Sequence, residues 1–392
     1  MSATSESNLG LWQLAFRPGF LGAATAGVGS LLLWILVLEG AVSWSPEFPI
    51  AWWHAHEMLF GFAMPVVVGF ALTAVATWTG TKGTTGARLI LLFATWLAAR
   101  LLLLLPLPSA LTLAAAADTL FIAGAAWELG TRIIGARQAR NYAFIPILTL
   151  FATGNLLSYA NHDRPEVSLH IHYAMLCLFI LLIGFVGGRV IPFFTSRRLG
   201  FEQPPILPWL DFGSLALLLI VVAAVATGYL LEGGRELQVL LLVTAGAHFM
   251  RLCRWQGCKS GSEPLLWSLH LSYLFIPVGL AALALVIPDP VATKSVMHLL
   301  AIGAMAGMIL SMMTRVSLGH TGRPLQAAKL VTTSFVLLAL AALIRAALPI
   351  LLPTSTLWSW RISALCWLLA FCGFLICYAR VLLTRRPDGK PG

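Results

Sequence analysis

The run Ala51–Thr73, AWWHAHEMLFGFAMPVVVGFALT, decides the fold. From His56 onward it supplies the roughly 20 mostly apolar residues that an α-helix needs to cross a hydrocarbon core, and it contains no Lys or Arg. Eleven further runs of this kind start near Phe20, Leu89, Ala110, Tyr142, Leu169, Phe212, Leu237, Leu265, Ser295, Leu325 and Leu357. The fold class is therefore all-α: a polytopic membrane bundle of about twelve transmembrane helices, forming a single transmembrane domain over residues 1–392. Of the 392 residues 59% are hydrophobic and 10% charged, against about a quarter charged in soluble domains. A soluble enzyme, a disulfide scaffold and a disordered tail are excluded.

A formal net charge of +10 would suit a nucleic-acid binder until the cations are placed along the chain. Arg17; Lys82 and Arg88; Arg132, Arg137 and Arg140; Arg189, Arg197 and Arg198; Arg251, Arg254 and Lys259; Arg315, Arg323 and Lys329; and Arg380, Arg385, Arg386 and Lys390 fall at the N-terminus, at every second connection and at the C-terminus. Arg100, Arg164, Arg235, Lys294, Arg345 and Arg361 lie toward the other side. Short cytoplasmic loops are enriched in Lys and Arg, so both termini are expected in the cytoplasm. Lipids, not nucleic acid, are the expected surroundings. The segment Met1–Arg17 has no charged region or cleavage site of a secretory signal, so the first span is expected to be retained. The six cysteines imply no disulfide framework, and Cys253 with Cys258 is too sparse a pair to argue for a metal.

His56, His172 and His298 each open a span on the outer side, the second, sixth and tenth, and Arg189 and Arg315 follow the latter two at equal spacing. This suggests three tandem four-helix units, 1–140, 141–260 and 261–392, unlike the paired halves of many secondary transporters. Five of the nine histidines, His54, His56, His170, His172 and His298, gather at that outer depth. Each alone reads equally well as an interfacial cap. Together, on repeat-related helices, they point to function, because polar side chains in a membrane are costly and neutral imidazole is a common metal ligand. In the two His-x-His segments the rings differ by about 200° around a helix, so the pair serves two sites, unless the first His lies in the loop and swings round. Either arrangement suits a haem beside a second metal, and the lack of Cys-x-x-Cys-His excludes covalent haem.

Other polar residues carry weaker expectations. Arg100 and Asp118 are expected to pair, the alternative being that Asp118 relays protons. Glu57 either orients a ligand or faces solvent. Met297, Met305, Met308 and Met312 read as core filler before copper ligands. His248 and His270 read as structural, while His162 and His320 are assigned to loops. Trp12, Trp44, Trp52, Trp53, Trp209, Trp255, Trp358 and Trp360 suit an interfacial belt. Gly184, Gly187, Gly188, Gly303 and Gly307 permit close helix approach or leave room for a flat macrocycle.

Several segments resemble the NnrS family of bacterial membrane proteins: Phe16-Arg17-Pro18, Trp53-His54-Ala55-His56-Glu57-Met58, Gly187-Gly188-Arg189-Val190-Ile191-Pro192-Phe193-Phe194-Thr195, and Met312-Met313-Thr314-Arg315 through Gly319-His320-Thr321-Gly322. Gly19 departs from the family pattern, where members often carry an aromatic residue. The resemblance implies a protein of the bacterial inner membrane that binds non-covalent, b-type haem and copper or a second iron and acts in the response to nitric oxide. Its layout is similar to that of haem-copper oxidases, an analogy of architecture and not of sequence; this chain lacks their adjacent His-His pair on the seventh span. The leading expectation is reduction of nitric oxide at a haem paired with a second metal, with His56, His172 and His298 as cofactor ligands and His54 and His170 at the second metal. The rivals are a non-catalytic carrier or binder of haem or metal, and a gas sensor, the latter disfavoured because no soluble output domain remains. The electron donor has no signature in the sequence.

Overall fold

Proline has a fixed φ and no N–H, so the first turn of a helix accommodates it best. Pro165, Pro208, Pro264 and Pro290 each occupy the first turn of a span, and Pro49 is the N-cap of another. The computed structural model describes residues 10–389, in which twelve long helices are joined by short loops and turns and no β-strand occurs. The helices are α1 Phe16–Leu38, α2 Ile50–Thr79, α3 Ala87–Leu102, α4 Ala110–Gly135, α5 Phe144–Ala160, α6 Pro165–Leu199, α7 Pro208–Ala226, α8 Arg235–Arg254, α9 Pro264–Val286, α10 Pro290–His320, α11 Lys329–Leu351 and α12 Thr356–Leu383. Eleven are long and apolar enough to cross a membrane. The exception, α3, has 16 residues and is about 24 Å long, short of the roughly 30 Å hydrocarbon layer; the exposed leucines Leu104, Leu105 and Leu107 follow it. Lys390, one of the expected cytoplasmic cations, lies outside the described residues.

Most sequential helices pack as neighbours, α2 packs past α3 onto α4, and α1 closes on α12. Inside lie α2, α6 and α10, whose spans are 78%, 67% and 78% buried, the highest shares of the set; α6 touches both of the others. Leu91, Leu120, Trp127, Leu285 and Ile376 project outward as a lipid-facing surface must. The methionines of α10 are buried in the core, as expected of filler. Two of the inner helices are not uniform: α2 widens to a π-helix over Glu57–Ala63 and α10 over Leu299–Ala306. Each π stretch begins at the residue after an expected ligand, His56 or His298, and such widenings recur at functional sites.

The glycines account for contacts between helices, not for an open cleft. A methyl at Gly303 would overlap the Phe275 ring, and one at Gly307 would come within 2.7 Å of Ser272 Oγ, so α9 already fills that space. At Gly19 a Cβ would sit 2.6 Å from the Pro65 carbonyl oxygen, where α1 crosses α2. The departure from the family pattern at that position thus coincides with a crossing too close for a side chain.

The Phe16-Arg17-Pro18 segment has a structural explanation as well. Helix C-termini leave carbonyls without partners, and fully buried Arg17 donates to the carbonyls of Val381, Leu382 and Thr384 at 3.1, 2.9 and 2.7 Å. It thereby caps α12 from α1. Arg17→Ala is expected to destabilise the fold by about 2–3 kcal/mol, the worth of charge-assisted hydrogen bonds lost at a buried site. Thermal unfolding in detergent would show it as a lowered midpoint, partly restored in Arg17→Lys.

Candidate functional site

Glu57, Arg100 and Asp118 are costly to bury in a membrane, yet all three are inside. They come from α2, α3 and α4, and Arg100 holds both carboxylates. Arg100 Nε forms an ion pair with Glu57 Oε2 at 2.9 Å, and Arg100 Nη2 donates to Asp118 Oδ2 at 2.5 Å. The expected Arg100–Asp118 pair is therefore present, and Glu57 is turned inward instead of toward solvent. Tyr159 of α5 donates its hydroxyl to the same Asp118 oxygen at 2.7 Å.

This cluster forms one wall around His56. Its Nδ1 lies 3.2 Å from Glu57 Oε1 and its Nε2 3.0 Å from Asn155 Oδ1, so both ring nitrogens are engaged within the protein. The ring stacks on Trp52 at 4.9 Å and 18°, and Tyr159 meets it edge-on at 4.7 Å. Trp52 donates its indole N–H to the Ser158 carbonyl at 3.1 Å, while Ser158 Oγ bonds His172 Nε2 at 2.7 Å. His56 of α2 and His172 of α6 thus share a polar face of α5. Trp52 and Trp53, expected in an interfacial belt, are buried instead, as is Trp255; Trp209 and Trp358 do face outward.

The expected ligands differ in how they are presented. They do not open their helices but lie six to eight residues inside, about 9–12 Å below the first residue, because Pro49, Pro165 and Pro290 start each helix earlier than the apolar run suggests. His298 donates Nδ1–H to the Lys294 carbonyl at 2.8 Å. That bond fixes the tautomer and leaves an Nε2 lone pair, the pattern of metal-ligating histidines anchored through the other nitrogen. His54 stacks on Trp34 of α1 at 4.5 Å, and its Nδ1 is buried without a partner. His170 lies against Gly228 beyond α7, also with an orphaned Nδ1. The His-x-His rings therefore point to different neighbours, as the helical angle requires: His54 to α1 but His56 to α5, and His170 to Gly228 but His172 to α5. Among the described residues no three His, Cys, Asp or Glu side chains form a ready metal-holding group. What the structure offers toward a haem or metal is the donor chemistry of His298 and the buried, unpartnered nitrogens of His54 and His170.

Asn155, Ser158 and Tyr159 were not among the expected site residues. Their signal was three polar side chains at one helical face of an otherwise apolar run. His162, assigned to a loop away from any site, lies beside Trp52 at 6.3 Å and bonds the Tyr159 carbonyl. His320 ends α10 and packs on Phe16. His248 and His270 are buried and hydrogen-bonded to Tyr273 and Thr195 at 2.8 and 2.9 Å, as structural histidines should be. His248 belongs to a second polar cluster at the other end of the bundle, where Arg251 bonds Asp211, Tyr273 and the Gly184 carbonyl.

A model of the family described as NnrS protein matches residues 10–386. No individual curated protein matches the chain.

Proposed function

As the chain belongs to the NnrS family, whose membership supports a role in the nitric oxide response, we propose that it relieves nitrosative stress as a haem- and metal-bearing protein of the bacterial inner membrane with both termini in the cytoplasm. The observation that carries this reading is His298, whose Nδ1–H is held by a backbone carbonyl so that Nε2 keeps its lone pair at the outer part of α10. His298 is the leading cofactor ligand, with His172 and His56 on the neighbouring inner helices; His54 and His170 are proposed to hold copper or a second iron. Held by these histidines, a haem with a second metal would supply the redox chemistry for joining two nitric oxide nitrogens, which consumes two electrons and two protons per nitrous oxide and water formed.

The chain's own residues supply position and polarity. Proximity is the main catalytic device available to such a site, and it depends on fixed ring planes. Trp52 and Trp34 clamp the His56 and His54 rings by stacking. The Glu57–Arg100–Asp118–Tyr159 cluster holds His56 at both ring nitrogens, Glu57 at Nδ1 and Asp118, 3.8 Å away beside Asn155, at Nε2. Tyr159 donates its proton to Asp118 Oδ2, the carboxylate oxygen that lies 3.8 Å from His56 Nε2.

Purified protein supplied with a reductant is expected to remove nitric oxide from an electrode chamber and to release nitrous oxide. Stoichiometric uptake without turnover would favour the second reading, a non-catalytic haem or metal binder. That reading draws support from His56, whose nitrogens are both satisfied within the protein.

A further inference from the structure

Four arginines are buried among the described residues, and three have evident partners. Arg17 caps carbonyls, Arg100 meets Glu57 and Asp118, and Arg251 meets Asp211. Arg345, on α11, makes no hydrogen bond or ion pair with any described residue, although only 9% of its surface is exposed. Burying a guanidinium without a counter-charge is strongly unfavourable, so its surroundings should supply one.

They do not. The Arg345 guanidinium lies over the Trp360 ring of α12 at 5.2 Å, and the Trp360 indole N–H is itself buried without an acceptor. The nearby charges are of the same sign or neutral: Arg345, Lys294 and His54 all act electrostatically on His298, and Tyr173 of α6 acts on Arg345. His298 spends its Nδ1–H on Lys294's own carbonyl. Around Arg345 and His298, α2, α6, α10, α11 and α12 thus bring donors and positive charge and, among the described residues, no carboxylate that acts on either. The missing partner is an acceptor with negative charge.

We propose that Arg345, with Trp360 Nε1–H beside it, is a binding site for a planar oxyanion group, either a free nitrogen oxoanion such as nitrite or a carboxylate on a larger ligand. The planar guanidinium fork matches two oxygens of such a group, and stacking on an indole orients the fork without neutralising it. The site needs no metal, so it stands apart from the ligand assignment above, and its failure would leave that assignment untouched.

The test uses the full chain, purified free of metal in detergent, at constant ionic strength. Calorimetric titration with sodium nitrite and with sodium acetate, and comparison of haemin with haemin dimethyl ester, are made on wild type, Arg345→Gln and Arg345→Lys. Binding of a small anion that weakens about tenfold to a hundredfold in Arg345→Gln, with partial recovery in Arg345→Lys, supports a free oxoanion. A preference for haemin over its ester that vanishes in Arg345→Gln supports a carboxylate of a larger ligand. Should the variants fold poorly, wild-type protein suffices: nitrite or haemin should slow modification of Arg345 by phenylglyoxal. No small-anion binding, equal treatment of haemin and its ester, and an unprotected Arg345 would overturn the proposal and leave this side chain as one that merely reaches toward outer water.

Discussion

Arg100→Ala is expected to destabilise the protein by about 3–5 kcal/mol, because it strands two carboxylates in the bundle with no cation between them. Glu57 and Asp118 are almost wholly buried, and both lie within ion-pair distance of the one guanidinium. The loss should reach beyond α3, since Glu57 also bonds the His56 ring and Asp118 accepts from Tyr159. Removing all three charges together, as Glu57→Gln, Arg100→Met and Asp118→Asn, should cost less than the single change, because charges that balance each other recover much of their own desolvation. Unfolding of detergent-solubilised protein followed by circular dichroism gives both numbers. If Arg100→Ala unfolds at the wild-type midpoint, the cluster is not the support for α2 described above.

The second large effect is expected at His298. His298→Ala should lower haem occupancy by about a hundredfold, whereas His56→Ala should lower it less and destabilise the fold more. The contrast follows from hydrogen bonding: His298 keeps a free Nε2 lone pair, while His56 is tied at both nitrogens. Added imidazole should restore part of the haem spectrum in His298→Ala, since a free ring can enter the vacated space. Restoration in neither variant, with equal loss in both, would contradict this ranking.

The bundle could be read from the sequence because a membrane leaves a chain few options: every backbone polar group has to be satisfied within the segment, and long apolar runs separated by charged loops then read as helices. Where that reading slipped, local chemistry explains it. The starts of α2, α6 and α10 lie upstream of the hydropathy signal because Pro49, Pro165 and Pro290 begin helices in segments that are not uniformly apolar. The short α3 reads as a full span because Leu103, Leu104 and Leu105 continue its hydropathy beyond the end of the helix.

The site was half legible. The histidines and the Arg100–Asp118 pair stand out as polar residues in apolar surroundings, but which neighbour each ring meets depends on helix rotation. Trp52 reads as a belt residue by depth alone; only its orientation toward α5 makes it the stacking partner of His56. The π-helical stretches after His56 and His298 have no periodic signature, since they are short departures inside long apolar runs. Arg345 shows the same limit. In sequence it is one more outer cation, and only its burial without a hydrogen bond or ion pair to any described residue marks it out.

The most direct test of the whole account is metal analysis with an optical spectrum of wild-type protein purified from haem-replete cells. Bound iron with a haem Soret band that shifts on exposure to nitric oxide is the predicted result. Protein that is folded, free of iron and copper, and spectrally blank above the aromatic region would contradict it.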